Sequence, residues 1–271
     1  RGALLGVIDA TRTALGARAL RRWLERPLLD LDRIAARHDA VEALVARPIE
    51  RAAVRAALAG APDVERLVNR IVAGYAGPRD LAGLARGLEA IGAVAAALSE
   101  RGGWPDALSG RCDQAACARL AARIRATLSD EPPAVLGVAG AVRPGFDAEL
   151  DAIHAAAAGA RDWIAGLEPR ERERTGIRRL KVGYNRVFGY YLQVPKASAE
   201  AVPDGWIRRQ TVVDGERYVS PELKAREAEV LDAEERVTAR ERALLEDLRG
   251  AVVEAAAELG AAAADLGRVD A

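Results

Sequence analysis

The residues best suited to chemistry in this sequence are basic side chains concentrated between positions 166 and 224. That segment contains twelve basic and eight acidic residues, a net charge of +4, in a chain of 271 residues whose overall charge is zero. It also contains all three lysines and six of the eleven aromatic residues. Arginine and lysine donors, helped by side-chain amides and hydroxyls, are the groups that contact nucleic-acid phosphates. The segment is therefore a candidate surface for binding a nucleic-acid backbone.

Seven side chains are the candidate phosphate contacts, because they are basic or carry an amide and lie in the most basic part of the segment. They are Lys181, Asn185, Arg186, Lys196, Arg208, Arg209 and Arg217. Successive residues of a strand point to opposite faces of a sheet. We therefore expect only one of the neighbours Arg208 and Arg209 to face a bound duplex.

The same residues allow two other interpretations. Charged side chains also protect the edges of a small sheet, and an excess of four charges is weakly specific for nucleic acid. Tyrosines such as Tyr184 and Tyr190 could stack on the bases of a single strand. We expect most of the aromatic residues to form core instead, because the segment has few other large apolar side chains. A helical protein-interaction scaffold with a β cap and a single-strand binder therefore stay open as alternatives.

No set of residues for catalysis is evident. The two histidines, His38 and His154, lie in helical patterns, and there is no glycine-rich phosphate loop, dinucleotide fingerprint or nucleophile elbow. Cys112 and Cys117 have no histidine nearby, which indicates neither a disulfide framework nor a zinc site. We expect a chain that is not an enzyme and that holds no cofactor and no metal.

The first 130 residues have the three-and-four apolar spacing of helices. The predicted helices are 13–25, 30–45, 62–73 and 78–98, separated by glycines and prolines. In the second of them one buried face is predicted, formed by Leu31, Ile34, Ala35, His38, Val41, Leu44 and Val45. Residues 130–144 are rich in proline and glycine and are expected to connect two halves of the chain.

Two later stretches keep a seven-residue apolar repeat, which is typical of helices that contact a partner along a narrow seam. The first contains Phe146, Leu150, Ile153, Ala157, Ala160, Ile164 and Leu167. The second contains Leu223, Val230, Val237 and Leu244, accompanied by Leu231, Leu245 and Val252. A helix of about 30 residues, at about 1.5 Å each, would be some 45 Å long. Such a helix is too long for a compact bundle alone.

Between these helices the pattern is that of strands, predicted at 177–182, 187–194, 206–213 and 217–219. Turns are predicted at 183–186, 195–204 and 214–215. The fold class is therefore mainly α, a helical bundle with two long antiparallel helices that carry an inserted small antiparallel β domain at their tip. The expected boundaries are 1–165 and 223–271 for the helical domain and 166–222 for the β domain.

Several motifs resemble the MutS family of DNA mismatch repair proteins, and the likeness covers essentially the whole chain. In the first half they are residues 11–18, 20–24 and 78–81, which read TRTALGAR, LRRWL and PRDL. In the second half they are the RERERTG, LKVGYN, GYY, RRQT, ERY and PELK sequences at 170–176, 180–185, 189–191, 208–211, 216–218 and 221–224.

The resemblance implies a helical lever interrupted by a β clamp that contacts duplex DNA non-specifically, opposite the mismatch. It also implies a homodimer whose two clamps close around the duplex, with a MutL-type repair partner. The family's mismatch-reading and ATPase domains are missing from this sequence, so ATP and magnesium are expected only in the full-length protein. No stretch approaches the roughly 18 uncharged apolar residues of a membrane span. We therefore expect no membrane contact and a cytoplasmic, nucleoid-associated protein.

Overall fold

The computed structural model describes residues 4–99, 102–108 and 113–271. Cys112, for which no disulfide or zinc role is expected, lies outside these residues, whereas Cys117 is buried. The helices are α1 (Leu4–Ile8), α2 (Ala14–Glu25), α3 (Leu31–Ala46), α4 (Pro48–Leu58), α5 (Val64–Val72), α6 (Pro78–Ser99), α7 (Gln114–Thr127), α8 (Ala148–Ala165), α9 (Leu167–Thr175), α10 (Pro221–Glu254) and α11 (Ala256–Asp270). The strands are β1 (Lys181–Asn185), β2 (Gly189–Val194), β3 (Ile207–Val212) and β4 (Gly215–Val219). This is the mainly α class with a small antiparallel sheet that the sequence predicts.

The chain divides into two compact units. The helical unit comprises Arg1–Phe146 and Arg242–Ala271, and the sheet unit comprises Asp147–Glu241. Helices α8 and α9 and most of α10 thus group with the sheet. The domain boundaries expected from the sequence, at 165/166 and 222/223, stay a prediction.

The core of the helical unit is built around α6. Its leucines Leu81, Leu84 and Leu88 are buried, and it packs against α4, α5 and α7. By length and composition α6 is the one helix among the described residues that could cross a membrane. It nevertheless carries Arg86 and Glu89, and 56% of its most apolar stretch is buried in the unit. These are the properties of a core helix.

The two ends of the helical unit are joined through one carboxylate. Asp270 at the end of α11 accepts hydrogen bonds from the backbone nitrogen and the hydroxyl of Thr13, at 2.8 and 2.7 Å. The Thr13 hydroxyl in turn accepts from the Gly16 nitrogen at 3.0 Å and caps α2. A Cβ at Gly267 would lie 3.0 Å from the Leu15 carbonyl oxygen, so the absence of a side chain lets α11 approach α2 closely. Helices α2 and α11 are therefore locked together.

The predicted buried face of α3 is wrong. Leu31 is 79% exposed and Val41 and Val45 are also exposed, whereas Ala40 is the residue of α3 that is buried. The helix instead turns a stripe of alanines, which includes Ala36 and Ala43, toward its neighbours. Both stripes satisfy the three-and-four spacing, so spacing alone does not choose between them. Helix α3 ends at Ala46, and α4 begins at Pro48.

The two seven-residue repeats form the helical part of the sheet unit. From Leu150 to Leu167 every predicted seam residue is buried, but Phe146 is exposed, so the seam begins one turn later. On α10 the seam continues through Leu223, Val230 and Val237, while Leu231 is exposed. The helices run antiparallel, since Arg240 near the unit's end bonds Asp147 and Arg161 bonds the earlier residue Glu234.

The sheet is antiparallel with strand order β1-β2-β4-β3. Its packed face presents Leu192, Val194 and Tyr218 to a core that contains Ile164 and Leu223. Two carboxylates of the helices also accept hydrogen bonds from the sheet backbone. Glu168 accepts from the Val182 nitrogen at 3.0 Å, and Glu227 accepts from the Tyr190 nitrogen at 2.9 Å. Apolar packing and these hydrogen bonds together hold the sheet to the helices.

The turn predicted at 183–186 is wrong, because Gly183 and Asn185 belong to β1. Gly183 pairs with Tyr191, and the tyrosine ring covers the space that a side chain at 183 would fill. The chain reverses at 186–188 instead, and Gly189 follows with a φ of 82°. Short hairpin loops are commonly closed by a residue in the left-handed conformation, which glycine adopts without strain.

Gly189→Ala should destabilise the sheet unit by about 1–3 kcal/mol, because a side chain at positive φ is strained. A Cβ at this position would also collide with the Glu227 carboxylate, which bonds the Tyr190 nitrogen. Urea unfolding followed by tryptophan fluorescence measures the change. Gly205→Ala is the control, because no atom lies within 4 Å of a Cβ built there and its φ is not positive. Equal stability of the two variants would contradict this account.

Candidate nucleic-acid interface

The strand register places one polar row across all four strands. Lys181 pairs with Gln193, Gln193 with Arg217, and Arg217 with Gln210. The neighbouring row consists of Val182, Leu192, Tyr218 and Arg208, and its middle residues lie in the core. Since successive rows point to opposite faces, the first row lies on the face turned away from the helices. We call that face the open face, formed by Lys181, Asn185, Tyr191, Gln193, Gln210 and Arg217.

Arg217 is the most firmly held cation of the open face. Its Nη1 donates to Gln210 Oε1 at 2.8 Å, and its guanidinium carbon lies 4.4 Å from the centre of the Tyr191 ring. Its Nε is buried without a hydrogen-bond partner among the described residues. The guanidinium is thus positioned by an amide and a ring rather than by an acid, so its charge is not neutralised locally.

Lys181 and Asn185 also belong to the open face, at the outer strand β1. The Lys181 side chain is exposed. Asn185 Oδ1 accepts a hydrogen bond from the Val187 nitrogen at 2.7 Å, which shapes the β1–β2 turn. The amide NH2 of Asn185 is left as the group that can donate outward. Asn185 therefore has a structural role that was not anticipated from the sequence.

The hairpin turns carry further exposed residues. Arg186 is exposed in the β1–β2 turn beside Val187, which is 90% exposed. Lys196 is exposed in the short 3-10 turn after β2, which spans Lys196–Ala201. The β3–β4 hairpin closes through Val213 and Asp214, one residue before the Asp214-Gly215 turn that we predicted.

Arg208 and Arg209 have different surroundings. Arg208 pairs with Tyr218 in the packed row, and its Nη1 lies 3.0 Å from Glu216 Oε1. Arg209 falls in a β-bulge between Arg208 and Gln210, where it has no partner in the strand register and is exposed. A bulge redirects one side chain of an edge strand. The charge of Arg208 is therefore compensated, and that of Arg209 is not.

The pKa of the Glu216 carboxyl is lowered. The Tyr218 hydroxyl donates a hydrogen bond to it, and Arg208 and Lys196 add positive charge nearby. The pKa of Tyr218 is raised in turn by burial and by the bond to Glu216. This network ties the end of the packed row to β4.

The basic residues of the sheet differ from those of the helices beside it. On α8, α9 and α10, ion pairs join Arg161 to Glu234, Arg172 to Glu168, Arg174 to Glu171, Arg226 to Glu229, Arg236 to Asp232 and Arg240 to Asp147. Among the described residues no salt bridge involves Arg178, Arg179, Lys181, Arg186, Lys196 or Arg209. Positive charge on the sheet is therefore available to an external anion.

The prediction that most of the aromatic residues form core is wrong, because three of the six lie in the core or pack against it. Phe188 is half-buried against Tyr191, with ring centres 5.7 Å apart. Trp206 and Tyr218 are buried 6.2 Å apart, and Tyr190 packs against the same core. Tyr191 lies under Arg217, and Tyr184 is exposed with its ring edge against Tyr190 at 5.0 Å. Tyr184 is therefore the ring of the sheet best placed to contact a base.

Sequence reasoning missed Gln193, which lies between Lys181 and Arg217 in the polar row. Its position follows from the pairing register, which composition and periodicity do not give. Within the residues that the structure describes, no cluster of three or more histidine, cysteine, aspartate or glutamate side chains could hold a metal. The open face can bind an anion through hydrogen bonds and charge, without a chemical step.

Replacement of Glu216 by glutamine should make stability less dependent on pH. A carboxyl whose pKa is lowered by folding stabilises the folded state above its unfolded pKa, and this contribution is lost as the pH falls through the folded value. The stability difference between wild type and Glu216→Gln, measured by urea unfolding, should therefore shrink between about pH 7 and about pH 3. Glu200→Gln, at an exposed site of the same unit, is the control. A stability difference that does not change with pH would contradict the proposed effect of the Glu216 network.

Comparison with known proteins gives a consistent picture. A family model described as MutS domain III matches residues 1–271. A DNA mismatch repair protein MutS from Anaeromyxobacter sp. (strain K) is 47% identical over 276 residues, covering 100% of this chain and 31% of its own length. Proteins with the same description from Symbiobacterium thermophilum and Methanothrix thermoacetophila are 46% and 41% identical, over 92% and 99% of this chain. They are covered over 28% and 32% of their own lengths, so the chain spans about a third of these relatives.

Proposed function

The chain belongs to the MutS family of DNA mismatch repair proteins, as its domain III, and from this premise we propose that it is the lever and clamp of such a protein. The sheet unit is the clamp, which grips the phosphate backbone of duplex DNA. The helices are the lever that carries it. The chain performs no chemistry in this function, and it acts in the cytoplasm at the nucleoid.

The observation that carries the proposal is the uncompensated positive charge of the sheet. Lys181 and Arg217 lie in one row of the open face, with Gln193 between them. Arg186, Lys196 and Arg209 add exposed cations at a turn, a 3-10 turn and a bulge. Phosphate oxygens accept hydrogen bonds from amide groups and from cationic side chains, so a surface that offers both suits them. Contacts to phosphates do not depend on the DNA sequence.

Duplex DNA is favoured over a single strand by the placement of the aromatic rings. Single-strand binders present several stacking rings along a groove. In the sheet, Trp206, Tyr190 and Tyr218 are committed to the core and Tyr191 is covered by Arg217, which leaves Tyr184. One exposed ring does not form a stacking platform.

The first test is fluorescence anisotropy with a labelled duplex at several salt concentrations. We expect weak binding with a log–log salt slope of about −3 to −5, as for four or five phosphate contacts. The triple variant Lys181→Ala/Arg186→Ala/Arg209→Ala should weaken binding. Its salt slope should be less steep, by the amount expected for the loss of nearly three phosphate contacts. Arg161→Ala/Arg226→Ala/Arg236→Ala removes the same charge from the helices of the same unit, where each arginine is paired, and should have little effect.

Three outcomes would contradict the proposal. Absence of duplex binding at low salt would favour the scaffold alternative. Equal loss in both triple variants would mean that net charge alone, rather than the sheet surface, binds DNA. Tighter binding to a matched single strand, lost more in Tyr184→Ala than in Arg209→Ala, would favour base stacking.

In the full-length protein the finer roles follow from the same premise. We infer a homodimer whose two clamps surround the duplex, an ATPase domain that uses ATP and magnesium, and a MutL-type repair partner. Helices α8 and α10 would transmit the nucleotide state to the clamp. Their antiparallel seam, from Leu150 to Leu167 and from Leu223 to Val237, gives the stiffness that transmission needs.

A cross-link tests this transmission. Arg161→Cys and Glu234→Cys place two thiols where Arg161 Nη2 now lies 2.8 Å from Glu234 Oε1, and a short bis-maleimide can join them after Cys112 and Cys117 are replaced by serine. We expect the cross-link in the full-length dimer to reduce nucleotide-dependent clamp opening, measured by energy transfer between dyes on the two clamps. Unchanged opening would contradict transmission through this helix pair. The uncross-linked double variant is the control.

A further inference from the structure

A second group of uncompensated cations belongs to the helical unit. Helices α2, α3 and α11 enclose a cavity of about 270 Å³, which we call the arginine cavity. Trp23 lines it together with six charged residues, which are Arg18 and Arg22 on α2, Arg33 and Arg37 on α3, Glu65 on α5 and Arg268 on α11. Arg268 is paired with Asp265. None of the seven candidate phosphate contacts of the sheet lines the cavity.

Helical spacing explains how the walls are formed. Arg33 and Arg37 are four residues apart on α3, so they lie one above the other on the same face. Trp23 follows Arg22 on α2, and the Arg37 guanidinium lies over its ring, 3.9 Å from the ring centre. Stacking on a ring covers a guanidinium face and leaves its edge N–H donors for a ligand.

The floor of the cavity is made of small residues of α11, namely Gly260, Ala263, Ala264 and Gly267. Their short side chains leave the space unfilled. The space also has a fixed shape, because α11 is locked to α2 through the contact of Gly267 with Leu15 and through the bonds of Asp270 to Thr13. The floor of the cavity is therefore held in a fixed position against α2.

The charges at the cavity are unbalanced. Arg18 on the rim is bonded to Asp63 and Glu65, at 2.6 and 2.8 Å, so the one acidic residue that lines the cavity, Glu65, is already engaged. Among the described residues no salt bridge involves Arg22, Arg33 or Arg37. The pKa of Arg37 is lowered by burial and by the charge of Arg33, which shows that the two cations repel each other. An anion placed between them would relieve this repulsion.

We propose that the arginine cavity binds a phosphate group, held by Arg22, Arg33 and Arg37 against the side of Trp23. A phosphate dianion matches three uncompensated guanidinium groups better than a single carboxylate does. Two of its oxygens can accept the two parallel hydrogen bonds of one arginine fork. The small volume suits a free phosphate ion or a phosphomonoester rather than a duplex backbone. The site is independent of the proposed clamp and can be tested without DNA.

The test is calorimetric titration of the whole chain with inorganic phosphate, at constant ionic strength with chloride as the balancing anion. We expect saturable binding at one site and a rise in Tm with phosphate concentration. Arg33→Ala/Arg37→Ala should raise the Kd about tenfold or more, because two charge-assisted contacts are lost. Arg33→Lys/Arg37→Lys, which keeps the charge but removes the forks, should weaken binding less and guards against misfolding of the alanine variant.

Arg21→Ala/Arg26→Ala is the matched control, since both arginines are exposed on or beside α2 and neither lines the cavity. Its Kd for phosphate should stay close to that of the wild type. Equal weakening in the control, or no saturable binding, would overturn the proposal. Tighter binding of acetate or a glutamate-rich peptide would also overturn it. A parallel titration with glycerol phosphate distinguishes the two kinds of ligand that would support the proposal. Tighter binding of glycerol phosphate than of inorganic phosphate would indicate a site for a phosphomonoester. Binding that is no tighter would indicate a site for the free ion.

Discussion

The packing of the four-stranded sheet on the seam of α8, α9 and α10 is the constraint on which the candidate interface depends. A sheet that is apolar on one face must bury that face against another element. Here Leu192, Val194 and Tyr218 supply that face, and Ile164, Leu167, Leu223 and Val230 receive it. Because the apolar residues occupy one face, alternation leaves the polar row from Lys181 to Gln210 on the other.

The same constraint explains why Lys181, Arg209 and Arg217 have no acidic partner among the described residues. Glu168 and Glu227, on the helices beside the sheet, already accept hydrogen bonds from the sheet backbone. Glu216 is held by Tyr218 and Arg208 on the packed side. These three acids are thus engaged in joining the sheet to the helices or in holding its packed side. A surface built in this way keeps its charge for a partner outside the unit.

Periodicity predicted the main features of the sheet unit because both of its patterns are strict. The seven-residue repeat from Leu150 to Leu167 allows only one face of the helix to be buried. The alternating residues of a strand such as β2 likewise define one buried face. The prediction of the buried face of α3 was wrong because two stripes of residues have the same spacing. Spacing alone therefore could not select the stripe that contains Ala40. The prediction of a turn at 183–186 was wrong because glycine is typical of turns. Gly183 instead lies in β1 and leaves room for the Tyr191 ring.

For the candidate site, residue type could be predicted but neighbourhood could not. Composition identifies Lys181, Arg208 and Arg217 as cations alike. Only the register separates Arg208, which bonds Glu216, from Arg217, which is held by Gln210 and Tyr191. The contribution of Gln193 likewise follows from its place opposite Lys181 and Arg217.

The distribution of lysine and arginine adds a physical reason for treating the sheet as the surface for DNA. The chain has 40 basic residues, of which three are lysines, all between positions 166 and 224. Arginine makes every ion pair seen among the described residues, as suits a planar fork that fixes carboxylate geometry. A lysine ammonium is a compact, hydrated charge on a flexible stem, which suits contacts that need attraction without fixed geometry. A duplex backbone held without regard to sequence is a ligand of that kind, whereas the arginine cavity has the forks and the fixed shape that a single bound phosphate requires.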